Sequence, residues 1–364
     1  MTRLQQILAL AAGGLALLTL LASLMAGPAL LPAITLFGLC GSLTLLRFLR
    51  ASTLWIDGGL ALLGGAALLF SLGIVQPAPA ALWLALAAAW ALAWLFVERL
   101  SEAIARRQVD GRLFGLLIPA LFGGAILLAW EVITRGGGVP TVLLPPPSMI
   151  WARILASLPI LGADFAQTFL RAVLIGYLLG CLSGYLVAIA IDRSPFLKRG
   201  LLPLGNFVSA LPIIGVAPIM VMWFGFDWQS KAAVVVVMTF FPMLVNTVAG
   251  LSAAGAMERD LMRTYNAGYW QTLFKLRLPA AGPFIFNALK INSTLALIGA
   301  IVAEFFGTPI VGMGFRISTE VGRMNVDMVW AEIAVAALAG SVFYGAIALL
   351  ERAATFWHPS VRGG

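Results

Sequence analysis

Charged residues are scarce in this sequence. Only 10% of its 364 residues are Asp, Glu, Lys or Arg, whereas 61% are hydrophobic. A soluble domain carries about 25% charged and about 45–50% apolar residues, so the composition excludes a soluble globular protein. The chain has room for roughly ten membrane spans of about 20 residues each. The composition therefore predicts an all-α polytopic membrane protein.

Residue types that perform catalysis are scarce as well. The sequence has one histidine, His358, and two cysteines, Cys40 and Cys181, which lie far apart within apolar runs. A disulfide or a metal site is therefore not expected, and no cofactor is predicted. A membrane-embedded enzyme would need clustered polar side chains at one membrane face. The sequence argues against that class and predicts no catalytic residue.

The phosphate-binding motif of ATP-hydrolysing proteins is also missing. No G-x-x-x-x-G-K-[ST] segment occurs, and none of the four lysines follows a glycine. That motif holds the phosphates of ATP in a loop of backbone N–H groups. The chain is therefore not expected to hydrolyse ATP by that mechanism, and any energy from ATP would have to come from a separate subunit.

Charge-free runs mark the predicted spans, because a charge at the bilayer centre is costly. The runs 4–46 and 58–97 are each long enough for two helices, and prolines interrupt both. We therefore expect four spans in residues 1–112, an N-terminal membrane extension, and six more in residues 113–364. About ten transmembrane helices result.

Basic residues set the predicted orientation. Sixteen Lys and Arg residues fall in one set of alternating loops and five in the other. Cytoplasmic loops carry the excess of Lys and Arg, so we expect both termini in the cytoplasm. The formal net charge of +8 then reflects topology, and no nucleic-acid partner is predicted.

The most patterned loop covers residues 260–279, which read DLMRTYNAGYWQTLFKLRLP. The pattern predicts a short helix, a break at 266–268, a second short helix and a stop at Leu278-Pro279. Asn266 suits the break, because after glycine asparagine best tolerates the left-handed conformation that a helix-ending turn requires.

This loop resembles the EAA loop of ABC importer permeases, E-A-A-x-x-x-G followed after nine residues by I-x-L-P. Asp260 stands at the acid, Asn266 at the glycine and Leu276 at the isoleucine. Leu278-Pro279 forms the closing pair, while Leu261-Met262 replaces the two alanines. Other segments are similar to the nitrate/sulfonate/taurine branch of these permeases, among them 143–148, 168–176, 241–250, 303–307 and 312–315.

The resemblance implies a six-helix permease domain over 113–364 that works with other chains in the bacterial inner membrane. Those partners are cytoplasmic ABC ATPase subunits, a periplasmic substrate-binding protein that delivers a small solute, and a second copy of the chain. The loop would dock on the ATPase. The residues expected to form that ATPase-coupling contact are Asp260, Arg263, Asn266, Gly268, Trp270, Leu276, Leu278 and Pro279.

Polar residues and prolines within the spans are candidates for the translocation path. Ionisable groups inside a membrane are costly and usually functional, and a proline-broken helix suits a cavity wall. The path candidates are Pro212, Pro218, Asn246, Lys290, Asn292 and Glu304. Snorkelling is the structural alternative for Lys290, and a helix–helix hydrogen bond is the alternative for Asn246.

Other functions stay open at this point. An ATP-independent secondary transporter would suit the broken helices and intramembrane charges, although such folds carry an internal duplication and none is apparent here. A scaffold without transport activity would not need the proline-broken span or the patterned loop. Neither the solute nor the role of the first four spans follows from the sequence.

Overall fold

The computed structural model describes residues 2–25, 32–47, 54–72, 79–109, 114–194, 196–197, 199–201, 203, 212–307 and 310–356. All regular secondary structure within these ranges is helical. The predicted all-α fold is therefore confirmed.

Most of these helices are α-helices, interrupted by two π-helical segments at Ala166–Val173 and Leu273–Arg277. The α-helices of the first half are α1 (Arg3–Met25), α2 (Pro32–Arg47), α3 (Leu54–Leu72), α4 (Ala80–Ala105), α5 (Leu117–Gly136), α6 (Pro147–Ala156), α7 (Leu158–Phe165) and α8 (Leu174–Arg193). Those of the second half are α9 (Ile213–Phe224), α10 (Trp228–Leu251), α11 (Ala256–Thr264), α12 (Tyr269–Thr272), α13 (Leu278–Glu304), α14 (Met313–Gly322) and α15 (Val326–Ala354).

Eight helical stretches of the described ranges are long and apolar enough to cross a membrane. They are Arg3–Met25, Leu54–Leu72, Ala80–Ala105, Leu117–Gly136, Leu158–Arg193, Trp228–Leu251, Tyr269–Glu304 and Val326–Ala354. Two shorter apolar helices, Ala33–Leu43 and Ile213–Phe224, lie where two further spans are predicted, in the second half of the run 4–46 and at about residues 201–224. Residues 202 and 204–211 of the latter lie outside the described part of the chain. The multi-pass fold is confirmed, and a count of ten holds as an approximation.

The chain forms two compact units, residues 1–152 and 153–364. In the first unit α1 packs against α2 and α4, and α3 packs against α4. Small side chains of α4, such as Ala85 and Ala88, are fully buried, which lets the helices approach closely. A buried ion pair joins Asp57 of α3 to Arg99 of α4.

In the second unit α10 lies at the centre, packed against α8 and α13. Gly176, Gly180 and Gly184 recur every four residues along the face of α8 that meets α10. A Cβ atom added at Gly180 would lie 2.0 Å from the hydroxyl oxygen of Thr239, and one at Gly184 would lie 2.5 Å from a backbone carbonyl of α10. Such small residues permit the close backbone approach that membrane helices use.

The predicted helix stop at Leu278-Pro279 is wrong. The helical path continues from Tyr269 to Glu304, whereas the sequence predicts a membrane span only from about residue 283 to residue 305. Pro279 lies in the first turn of α13, where a missing N–H is tolerated. The π-helical turn of residues 273–277 comes directly before it. Proline therefore marks a change of helix type and not an end.

Candidate functional site

Residues 256–277, here called the loop segment, connect α10 to α13 through α11, a turn, α12 and a π-helical turn. Asn266 makes the turn with a φ of +49°, in the left-handed region. Its N–H donates to the carbonyl oxygen of Arg263 at 2.9 Å, and the N–H of Ala267 donates to that of Met262 at 3.0 Å. The predicted break at 266–268 is confirmed.

Gly268 begins the second short helix of the loop segment. Its N–H donates to Oε1 of Gln271 at 3.1 Å, and its carbonyl oxygen accepts from the N–H of Thr272 at 3.0 Å. Two short helices are thus joined through a turn whose N–H groups at 266–268 all find acceptors. The loop segment is an ordered structure that can transmit a displacement.

The loop segment exposes a set of large apolar side chains. Their exposed fractions run from 53% to 84%, and the residues are Met257, Leu261, Tyr265, Trp270 and Phe274. The Trp270 ring stacks on Phe274 at 6.0 Å between centroids. An exposed ion pair, Asp260 with Arg263 at 3.2 Å, lies on α11 among them. Aromatic and apolar residues beside charged ones are typical of a protein-docking surface.

Arg277 fixes the end of the loop segment to two membrane helices. Its Nη1 and Nη2 atoms donate to Oδ2 and Oδ1 of Asp192, at the end of α8, at 2.7 and 2.6 Å. Its Nε atom donates to the carbonyl oxygen of Leu251, at the end of α10, at 2.9 Å. A bidentate arginine–carboxylate pair is strong and geometrically specific, so this contact sets the position of the loop segment.

Two aromatic residues of the loop segment reinforce this contact. The hydroxyl group of Tyr269 donates to Oδ2 of Asp192 at 2.9 Å. The guanidinium group of Arg193 lies 5.0 Å from the Tyr269 ring and 6.0 Å from the Trp270 ring, within cation–π distance. The loop segment is therefore attached to α8 and α10 and is continuous with α13.

Four residues of this contact, Asp192, Arg193, Tyr269 and Arg277, were not among the site residues predicted from the sequence. A signal was present, because Asp192-Arg193 closes a charge-free run and Arg277 directly precedes Leu278-Pro279. Both arginines had been counted only toward orientation.

The eight residues expected at the ATPase contact fall into two groups. The exposed ones are Asp260, Arg263, Asn266, Gly268 and Trp270, and the half-buried ones are Leu276, Leu278 and Pro279. Leu278 packs against the buried cluster formed by Leu251, Leu273 and Ala281. The first group is available to a partner, whereas Leu278 holds the loop segment against the membrane helices.

At the opposite end of α13, Glu304 joins three elements. Its Oε1 atom accepts from the hydroxyl group of Thr168 at 2.7 Å, and its Oε2 atom accepts from the N–H of Gly314 at 2.7 Å. The Thr168 oxygen in turn accepts from the N–H of Met313 at 2.8 Å. This buried network fixes the start of α14 to the π-helical segment and to α13.

Further charged groups surround this network. Oδ1 of Asp164 accepts from the N–H of Gly312 at 2.6 Å, and Oδ2 accepts from Nε of Arg316 at 2.8 Å. The hydrogen bond to Asp164 raises the pKa of the Arg316 guanidinium group. Lys231 is buried and donates to the carbonyl oxygens of Phe226 and Gly307. Buried charges of both signs thus hold the end of α13, the start of α10 and α14 together.

Two of the predicted path residues, Asn292 and Lys290, lie in helix contacts. Nδ2 of Asn292 donates to the carbonyl oxygen of Thr239 at 2.8 Å and to the Cys181 sulfur at 3.2 Å. Nζ of Lys290 lies 2.7 Å from Oε2 of Glu351. Both contacts join α13 to neighbouring helices.

The other path residues are distributed along the unit. Nδ2 of Asn246 donates to the carbonyl oxygen of Pro242 in its own helix at 2.8 Å. Pro212 precedes α9 and Pro218 lies inside it. Glu304 follows Asn292 by twelve residues, which is roughly 18 Å along a helix. The structure therefore does not bring the six residues together at one point.

Membrane-length helices, and a helical loop segment joined to three of them, define a multi-pass membrane protein. Residues 173–356 match the family described as "Binding-protein-dependent transport system inner membrane component". The chain belongs to that family, which comprises the permeases of ABC importers, and within it to the nitrate/sulfonate/taurine type.

Named relatives agree with this membership. The chain is 32% identical over 246 residues to the formylaminopyrimidine transport permease protein ThiX of Halalkalibacterium halodurans, covering 68% of this chain and 98% of the relative. It is 31% identical over 218 residues to a probable ABC transporter permease protein of Haemophilus influenzae, covering 60% and 88%. It is 25% identical over 243 residues to the taurine transport system permease protein TauC of Escherichia coli, covering 65% and 88%. The resemblance stated from the sequence is confirmed.

Proposed function

We propose that this chain is the membrane subunit of an ATP-driven importer, and that its loop segment passes the movement of a cytoplasmic ATPase to the membrane helices. The observation that carries the proposal is the contact of Arg277 with Asp192 and with the carbonyl oxygen of Leu251. Because of this contact, a displacement of the loop segment must move the ends of α8 and α10 together with α13. The exposed apolar residues of α11 and α12 provide the surface on which the ATPase docks.

The proposal includes the remaining parts of an importer. ATP is hydrolysed by the ATPase, a periplasmic binding protein delivers a small solute, and a second copy of the chain completes the path. Both termini face the cytoplasm, as the distribution of Lys and Arg predicts. The relatives named for formylaminopyrimidine and taurine transport support a small organic solute or oxyanion. Residues 113–364 form the permease domain in this proposal, and residues 1–112 form an extension to it.

The proposed path runs beside α9, α10 and α13. Its lining residues are taken to be Pro212, Pro218, Asn246, Lys290, Asn292 and Glu304. Pro218 supports this assignment most directly, because a proline inside α9 leaves a backbone carbonyl group without its helical donor. Such a group needs water or a neighbouring side chain, and the wall of an aqueous path supplies water.

Co-purification tests the docking surface. The chain is co-expressed with the cytoplasmic ABC ATPase subunits of its own genome in turn, and each complex is isolated through a tag on the chain. We expect wild type to retain the ATPase and to stimulate ATP turnover in proteoliposomes, and Trp270→Ala combined with Arg263→Ala to lose both. Removing an aromatic anchor from a docking surface typically costs about 2 kcal/mol or more of binding free energy.

A matched control is available in α14. Arg323 is an exposed arginine whose Nη1 atom lies 3.2 Å from an acid three residues earlier, the same spacing and distance as in the Arg263 pair, although its partner Glu320 is buried. Arg323→Ala should therefore retain the ATPase at the wild-type level. Wild type that binds no ATPase, or a Trp270/Arg263 variant that binds it fully, would contradict the proposal and favour an ATP-independent transporter.

A further inference from the structure

An apolar groove lies within the first unit between α3, α4 and α5. One part, with a cavity volume of about 270 Å³, is bounded by α4 and α5 and ends at Glu98. A second part, about 450 Å³, extends the groove along α3. The two parts share Trp90, Ala93, Leu121 and Ala125, so they form one continuous groove. The first unit therefore contains an apolar groove to which the proposed function assigns no role.

The length of this groove fits one lipid chain. Along α4 the lining runs from Leu86 to Glu98, which is about 18 Å at the rise of an α-helix. Half of a bilayer's hydrocarbon core is roughly 15 Å thick. A Cβ atom added at Gly124, on the α5 wall, would meet no atom within 4 Å. The groove thus offers open apolar space over the depth of one leaflet.

One end of the groove is suited to a cation. Trp90, Trp94 and Glu98 are spaced four residues apart on α4, so they lie along one helix face, and all three line the groove. Indole faces attract ammonium groups. The carboxylate of Glu98 is half-buried and takes part in no ion pair with a described residue. The arginines of the same helix are engaged elsewhere, Arg99 with Asp57 and Arg106 with Glu102.

We propose that this groove binds a phospholipid with a primary amine headgroup, of the phosphatidylethanolamine type. Its acyl chain lies between α3, α4 and α5, and its ammonium group lies at Glu98 beside the indole rings of Trp90 and Trp94. The carboxylate selects the amine, and a headgroup without a positive charge leaves Glu98 unpaired at the membrane surface. This inference does not depend on the transport activity, since the second unit carries the proposed docking surface.

Native mass spectrometry tests the inference on the full-length protein. The purified chain is incubated with equal amounts of phosphatidylethanolamine and phosphatidylglycerol, and the retained lipids are counted after detergent removal. We expect wild type to retain phosphatidylethanolamine with a preference of roughly five-fold or more, a size that an ion pair with cation–π contact accounts for. Glu98→Gln should retain both lipids equally.

Two further variants make the result specific. Glu102→Gln changes the next acid of α4, which accepts from Gln5 at 2.7 Å and faces Arg106, and it should keep the preference. Ala93→Phe fills the middle of the groove and should remove the tightly retained lipid whatever its headgroup. Equal retention of both lipids by wild type, or an unchanged preference in Glu98→Gln, would overturn the proposal. An unchanged lipid count in Ala93→Phe would show that the lipid binds elsewhere.

Discussion

Arg277 meets Asp192 through two parallel hydrogen bonds, 2.7 and 2.6 Å long, and 85 residues of sequence separate the two partners. The side chains are 17% and 7% exposed, so water screens the pair weakly. The hydroxyl group of Tyr269 also donates to Asp192, and its ring lies beside the guanidinium group of Arg193, so further contacts between the loop segment and α8 surround the pair. The pair is therefore the place where the coupling of loop and membrane helices can be tested.

The first prediction concerns this pair. Asp192→Asn leaves the guanidinium group of Arg277 half-buried without its carboxylate, which should lower the free energy of unfolding by about 3 kcal/mol. Solute-dependent ATP turnover should decrease more than ATPase binding, because the substitution leaves the docking surface unchanged. Thermal unfolding and turnover in proteoliposomes measure the two effects.

Two comparisons separate this effect from general damage. Lys275→Gln alters an exposed side chain of the same π-helical turn and should behave as wild type. The exchanged pair Asp192→Arg with Arg277→Asp should recover part of the turnover. Full turnover in Asp192→Asn would mean that the pair has no part in coupling.

The second prediction concerns Thr168. Its hydroxyl group donates to Glu304 and accepts from the N–H of Met313, so Thr168→Val removes two buried hydrogen bonds. The expected loss is about 1–3 kcal/mol in the free energy of unfolding. Thr168→Ser retains both hydrogen bonds and should lose less than half as much. Equal loss in the two variants would mean that the two hydrogen bonds contribute no more to stability than the methyl group does, which would contradict the prediction.

Part of this architecture could be predicted from the sequence. Composition alone predicted the all-α membrane fold, because no soluble domain tolerates so few charges. The break at Asn266 was predictable from the spacing of local residues. These are properties of short stretches, for which the side chain determines the local backbone.

The contacts of the candidate site could not be predicted in the same way. Thr168 and Glu304 are 136 residues apart, and their hydrogen bond exists only because α8 and α13 both pack against α10. The sequence does not show whether the side chain of a charged loop residue such as Arg277 faces solvent or a buried carboxylate. The prediction of a helix stop at Leu278-Pro279 failed for a related reason. Whether a proline ends a helix or lies in its first turn depends on the conformation of the preceding turn.

The third prediction tests the packing of α8 on α10. Gly180→Ala would place a methyl group 2.0 Å from the hydroxyl oxygen of Thr239 and 2.9 Å from the carbonyl oxygen of Val236. The helices must separate to admit it, at an expected cost of about 1–3 kcal/mol. Gly345→Ala on α15, where a Cβ atom meets nothing within 4 Å, should be neutral or slightly stabilising. Unfolding followed by circular dichroism in detergent compares the two, and equal stability would contradict the close packing.

The fourth prediction distinguishes two roles for Lys290. Its ammonium group lies 2.7 Å from the carboxylate of Glu351, with the side chains 20% and 17% exposed. If this ion pair is structural, Lys290→Met should destabilise the protein, because it leaves Glu351 unpaired. Lys290→Met combined with Glu351→Met should restore stability, because an apolar pair often replaces a buried ion pair without loss of stability. The double variant should then also restore solute uptake.

A role for Lys290 in the translocation path gives the opposite result for uptake. The double variant would regain stability, yet uptake would stay low, because the charge that contacts the solute is absent in both variants. Measuring unfolding and uptake on wild type, Lys290→Met, Glu351→Met and the double variant yields a complete double-mutant cycle for each property. We expect the two cycles to disagree, because Lys290 is one of the proposed path residues and its ion pair with Glu351 would then be a resting-state contact. Agreement of the two cycles would make the ion pair structural and remove Lys290 from the proposed path.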